Sequence, residues 1–144
     1  MEQCSATLRF FGSTLDHRTV TALLGQNPSY AHLPGERRNR VGKPIPNGMW
    51  LLTSEKQVES TDPEDHMNWL LDQVEGGALA LLPYLQSIGA EKDISCDWEK
   101  EGNGGAYFSS FLLKRIAALD LALGVTISFL DEPDEEMKEA LKDP

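Results

Sequence analysis

A chain of 144 residues, 40 % hydrophobic and 25 % charged, is one domain's worth of sequence, and it can bury roughly two-thirds of its unfolded surface without a metal or a disulfide framework. Its 23 acids against 13 bases, a formal charge of −10, exclude a chain that wraps nucleic acid, where Lys and Arg must replace condensed counterions. The longest apolar run, Gly76 to Pro83, falls far short of the ~20 residues that span a bilayer. Met1-Glu2-Gln3-Cys4 lacks the basic and apolar pattern of a leader, and two cysteines make no disulfide scaffold, so the expectation is a cytoplasmic chain with no membrane partner.

Cys4 to Phe11 alternates as a strand, with Cys4, Ala6, Leu8 and Phe10 on one face and Ser5, Thr7, Arg9 and Phe11 on the other. A short helix from Asp16 to Leu24 follows, capped by Asp16 and stopped by Gly25 before Pro28. Gln26 to Gly48, with four of the eight prolines, reads as a loop. Met49 to Ser54 is a second strand. Asp62-Pro63 starts a helix with Glu64 and Asp65 at its positive end, and Met67, Leu70, Leu71 and Val74 fall at the spacing of a buried stripe. Gly76-Gly77 breaks it, and Ala78 to Ile88 is a second helical piece carrying Pro83. Asp93 to Lys100 is a third strand, with Ile94, Cys96 and Trp98 inward. A glycine turn at 102–105 precedes a helix from Ser110 to Leu119, capped by Ser109. Leu121 to Phe129 is the last strand.

The order β-α-β, paired helices, β-α-β predicts an α+β, two-layer sandwich: a four-stranded mixed sheet with helices on one face, in a ferredoxin-like arrangement. With the middle segment read as a helical hairpin, the third strand runs antiparallel to the second. Alternation rather than continuous apolar runs leaves the other sheet face open. Residues 1–130 form the single domain. Residues 131–144, with seven acids and two lysines, form an acidic C-terminal tail that holds half of the net charge. Glu36 to Lys43 is the opposite pole, at +3.

No constellation of catalytic residues emerges. His17, His32 and His66 lie in separate elements and read as surface groups, and no G-x-S-x-G is present. Cys4 and Cys96 have no metal-ligand spacing and point inward on strands, so no metal and no cofactor are expected. The turn Gly102-Asn103-Gly104-Gly105 lacks the Lys-Ser/Thr pair of a phosphate loop. Two surfaces remain as candidates. Arg37, Arg38, Arg40 and Lys43, with Trp50 nearby, could hold an anionic ligand. Arg9, Phe11, Asp93, Asp97 and Glu99 mark the open sheet face as a partner surface, for a basic protein or for a homodimer.

Several short patterns occur together in order: Ala6-Thr7-Leu8-Arg9-Phe10-Phe11-Gly12, Leu23-Leu24-Gly25 followed by Pro28, Gly48-x-Trp50-x-Leu52-x-Ser54, His66-x-x-Trp69-Leu70-Leu71, and Gly102-Asn103-Gly104-Gly105 before Ser109. In this the chain resembles the uncharacterised bacterial family catalogued as domain of unknown function 4279, over about residues 4–130. The resemblance implies a small bacterial protein and carries over no catalytic residue. The functional expectation is a non-catalytic protein-interaction module, immunity-like in neutralising a basic partner. The alternative is a small anionic-ligand-binding protein or enzyme that uses the loop 26–48.

Overall fold

The computed structural model describes residues 2–36 and 44–130. Among these, five strands and four α-helices follow in the order β1 (Gln3–Gly12), α1 (His17–Leu24), β2 (Tyr30–His32), β3 (Gly48–Thr53), α2 (Pro63–Val74), α3 (Ala78–Ser87), β4 (Glu91–Lys100), α4 (Ser110–Ala118) and β5 (Ala122–Phe129). The strands form one mixed sheet in the order β2-β3-β1-β4-β5. Arg37, Arg38, Arg40, Lys43 and the acidic tail lie outside the described residues.

Local chemistry sets the helix ends. The Asp16 carboxylate accepts from Arg18 N–H at the start of α1, and Gly25 closes it in the left-handed conformation at φ 67°. Asp62 caps α2 ahead of Pro63, and the Ser109 hydroxyl caps α4 by accepting from Leu112 N–H. The helices bury their stripes against one sheet face. Val20, Met67, Leu70, Leu71, Leu81, Leu85, Leu112 and Ile116 close over Ala6, Leu8, Phe10, Trp50, Ile94 and Cys96. The Arg115 side chain, only 13 % exposed, ties α4 to α2 through Asn68, Asp72 and Glu75. The Glu64 carboxylate, at the start of α2, accepts from Ser109 N–H and adds a second tie.

The α+β sandwich with helices on one face is present, but the sheet has five strands rather than four. The fifth strand is β2, three residues inside the expected loop, too short to show alternation and flanked by Pro28 and Pro34. It changes the topology. β3 is antiparallel to both β1 and β2, so β1-α1-β2 is the parallel crossover and β3 fills the slot between its strands. The second crossover, β4-α4-β5, joins adjacent parallel strands.

The expected hairpin in the middle segment is also corrected. β3 and β4 are both antiparallel to β1, and therefore run in the same direction. Rather than folding back on each other, α2 lies against β1, β4 and α4, while α3 packs on α1. The chain turns between them through one 3-10 turn, Glu75–Gly77. A side chain at Gly77 would sit 2.7 Å from the carbonyl oxygen of Leu23 and from Leu24 Cα, whereas one at Gly76 would meet nothing within 4 Å. Gly77→Ala is therefore expected to destabilise by about 1–3 kcal/mol, because backbone must move to admit the methyl group. Gly76→Ala should stay within about 0.5 kcal/mol of wild type. Urea unfolding of the two variants side by side checks this difference.

Candidate functional site

Strand register determines what the uncovered face of the sheet carries. Leu8 pairs with Leu52 and Ile94 toward the helices, so the alternate residues point the other way. One cross-strand row reads Tyr30, Leu51, Arg9, Asp93, Ala122, and the next reads His32, Met49, Phe11, Glu91. Ser5 lies opposite Asp97, and Gln3 opposite Glu99. The structure thus brings Arg9, Phe11, Asp93, Asp97 and Glu99 onto one face. The helices pack on the other side of the sheet.

These five residues are not equivalent. Arg9 and Asp93 are directly opposed and form a forked ion pair, Nε to Oδ1 at 2.7 Å and Nη2 to Oδ2 at 2.6 Å. The carboxylate raises the Arg9 pKa, and the guanidinium lies 5.5 Å from the centre of the Phe11 ring. Asp97 and Glu99 are exposed, as is Glu91. Four acids against one arginine leave the strand residues on this face at −3. Asp97 and Glu99 stand toward one end of β4, opposite Ser5 and Gln3, whereas an apolar strip of half-buried Phe11, Met49 and Leu51 with Tyr30, 39 % exposed, lies beside Glu91 at the other. His32 is buried there. Its Nδ1 lies 3.0 Å from Tyr30 Oη and its Nε2 2.9 Å from the Asn47 carbonyl oxygen.

Trp50 does not join the anion candidates. It is fully buried, packed 5.5 Å from Phe10, and its indole N–H donates to Thr21 Oγ1 at 3.1 Å. Its place in β3 gives it inward parity with Leu8 and Leu52, so it belongs to the core.

A histidine–serine pair that the sequence did not disclose lies under the sheet. Ser54 Oγ is 2.6 Å from His66 Nδ1, and His66 Nε2 is 2.5 Å from the Ser60 carbonyl oxygen. Because that carbonyl can only accept, Nε2 carries the proton, and Nδ1 accepts from the Ser54 hydroxyl. Ser54 Oγ in turn accepts from Ala6 N–H at 2.9 Å, and Ser54 N–H donates to the Ala6 carbonyl at 2.9 Å. A hydroxyl at a base is the geometry of an activated nucleophile. Here both side chains are 0 % exposed, so no substrate reaches them without opening the core. The pair instead locks the end of β3 to β1 and α2. His66 and His32 are thus buried, not surface groups. The visible trace was the conjunction of Ser54 and His66 in two of the recurring patterns.

Cys4 and Cys96 are diagonal neighbours on the inward face, since Cys4 pairs with Trp98 and Cys96 with Ala6. Hydrogen bonding between the thiols pushes Cys4 up and holds the fully buried Cys96 down. Among the described residues no group of His, Cys, Asp or Glu could hold a metal ion. No helix of the described residues is long and apolar enough to cross a membrane.

Several open clefts have the dimensions of a ligand site, and one of about 530 Å³ lies between the segment after α1 and the face of α2, with Trp69, Gln73, Gln57, Asn27, Ser29 and Thr53 in its wall. Sequence reasoning missed it because its walls come from three separate segments.

No curated protein and no solved structure matches the chain. The family model described as Domain of unknown function (DUF4279) matches residues 2–130, and the chain belongs to that family.

Proposed function

We propose that this protein is a non-catalytic protein-interaction module that docks a basic partner protein on the open face of its sheet, in the manner of an immunity protein acting in the bacterial cytoplasm. The observation that carries the reading is the face itself: Phe11, Met49 and Leu51 supply apolar contact with Glu91 beside them, and Asp97 and Glu99, toward the other end of β4, add negative charge with no ion pair among the described residues. A net charge of −10 would steer a basic partner toward the chain and speed encounter. Arg9 and Asp93 neutralise each other, so Glu91, Asp97 and Glu99 are the carboxylates left to meet it.

Affinity capture at low salt tests the reading, with wild-type chain and the double variant Asp97→Lys/Glu99→Lys as baits. The wild type should retain a basic protein that is released at ~1 M salt, where the Debye length falls to about 3 Å. The charge-reversed bait should not retain it. An identical set of retained proteins on both baits would refute the proposal.

The cleft beside Trp69 supports a second reading, a small polar ligand or substrate, anionic if Arg37, Arg38, Arg40 and Lys43 help to select it. Gln26 to Ser29, at the start of the same loop, line that cleft. This reading requires a metabolite that raises the melting temperature of the wild type but not of Trp69→Ala.

A further inference from the structure

The two edges of the sheet differ in kind. β2 is three residues long and flanked by prolines, a blunted edge. β5 runs for eight residues, Ala-Leu-Gly-Val-Thr-Ile-Ser-Phe, with no charge and no proline, and its ladder is made to β4 on one side only. Among the described residues, no charge, proline or bulge protects this edge strand from pairing.

The flank of this edge is apolar. Leu123, Val125 and Ile127 face the helix layer yet are only partly buried, and Phe129 is half-exposed at the strand end. On α4, Arg115 and Phe111 turn toward α2, so Leu113 and Ala117, one helical turn apart, occupy the opposite flank above β5. Leu113 is 46 % exposed.

We infer that β5 pairs with β5 of a second copy of this chain, antiparallel across a two-fold axis at Val125, to give a continuous ten-stranded sheet. The register follows from parity: residues directly opposite in a ladder share a face, so the two-fold must pass through a residue and not between two. Centred on Val125, it sets Val125 on itself and Leu123 on Ile127 beneath the helices. On the open side it sets Gly124 on Thr126 and Ala122 on Ser128, small against small. A basic partner strand would find no carboxylate on this edge, whereas an uncharged copy matches it at every position. Antiparallel pairing also sets the two Phe129 strand ends, each followed in the sequence by seven acids and two lysines, about 25 Å apart at ~3.3 Å per residue. Parallel pairing would set them side by side. The inference goes beyond the partner-docking proposal and leaves both open faces free.

Sedimentation velocity on the full chain at ~100 µM should give twice 16.0 kDa. Thr126→Lys places two lysines in adjacent rows at the axis, and its exposed side chain spares the core, so the variant should sediment at 16.0 kDa and melt where the wild type melts once diluted to monomer. Val125→Cys should form an intermolecular disulfide across the axis under mild oxidation. Added salt should strengthen the dimer by screening repulsion between like-charged copies, whereas it should weaken capture of a basic partner, so the two proposals fail separately. A wild type that stays monomeric, or a Thr126→Lys variant that stays dimeric, would overturn the inference.

Discussion

His66→Ala is expected to lose about 3–5 kcal/mol of folding stability while leaving the open sheet face intact. Removing the imidazole strands the buried Ser54 hydroxyl at about 1–3 kcal/mol, takes a partner from the half-buried Ser60 carbonyl, and leaves an emptied volume that adds a cavity penalty of similar size. Domains of this size are stable by only about 5–15 kcal/mol, so one side chain accounts for a large share. With a urea m-value of about 2 kcal/mol/M, the midpoint should fall by roughly 1.5–2.5 M. Ser54→Ala should cost less, about 2 kcal/mol, because a small hydroxyl leaves little void but still orphans Ala6 N–H and His66 Nδ1. The double variant should then lose less than the sum of the two, since both report on one network. A loss below about 1 kcal/mol for His66→Ala would mean that the pair is not the structural lock described here.

Gly48→Ala has the second largest expected effect, and its cause is steric. A Cβ at Gly48 would lie 2.0 Å from the Leu15 carbonyl oxygen and 3.0 Å from Pro34 Cδ. The carbonyl cannot yield alone. Leu15 is fully buried, and the next residue, Asp16, caps α1, so admitting the methyl group pushes both away from β3. We expect a loss of about 3 kcal/mol, at the upper end of overpacking penalties. Gly25→Ala is the control. Its Cβ meets nothing within 4 Å, and its penalty comes only from the left-handed backbone at φ 67°, about 1–2 kcal/mol. Thermal melts of the two variants should rank Gly48→Ala clearly below Gly25→Ala, and the reverse ranking would contradict the packing argument.

Much of the architecture was legible because it is written in local chemistry. Asp16, Asp62-Pro63 and Ser109 mark helix starts by capping, and period-two alternation in β1, β4 and β5 separates a buried face from an open one. That alternation alone places Arg9, Phe11, Asp93, Asp97 and Glu99 together. Three things were not legible. β2 is too short for periodicity, and without it the first crossover seems to end on β3. The directions of β3 and β4 depend on how α2 and α3 pass each other, which contact with α1 decides over a long sequence separation. His66 reads as a surface group because sequence cannot show that it and Ser54 find the partners they need inside the core.

The role of Trp50 shows the same limit from the other side. An aromatic residue after a basic loop suggests a ligand platform, but its inward parity in β3 and its hydrogen bond to Thr21 make it the centre of the core. Trp69, partly buried on α2, is the tryptophan that lines the cleft beside Gln57 and Gln73.

The central claim is that the open acidic face, and neither the buried Ser54–His66 pair nor the Trp69 cleft, is where this protein does its work. Its most direct test is a backbone amide NMR titration of the ¹⁵N-labelled chain with the basic protein retained at low salt. The account predicts that perturbed amides map to Ser5, Thr7, Phe11, Leu51, Asp97 and Glu99, and that ~1 M salt reverses the changes. Perturbations confined to Gln57, Trp69 and Gln73 around the cleft, with the strand amides unmoved, would contradict it.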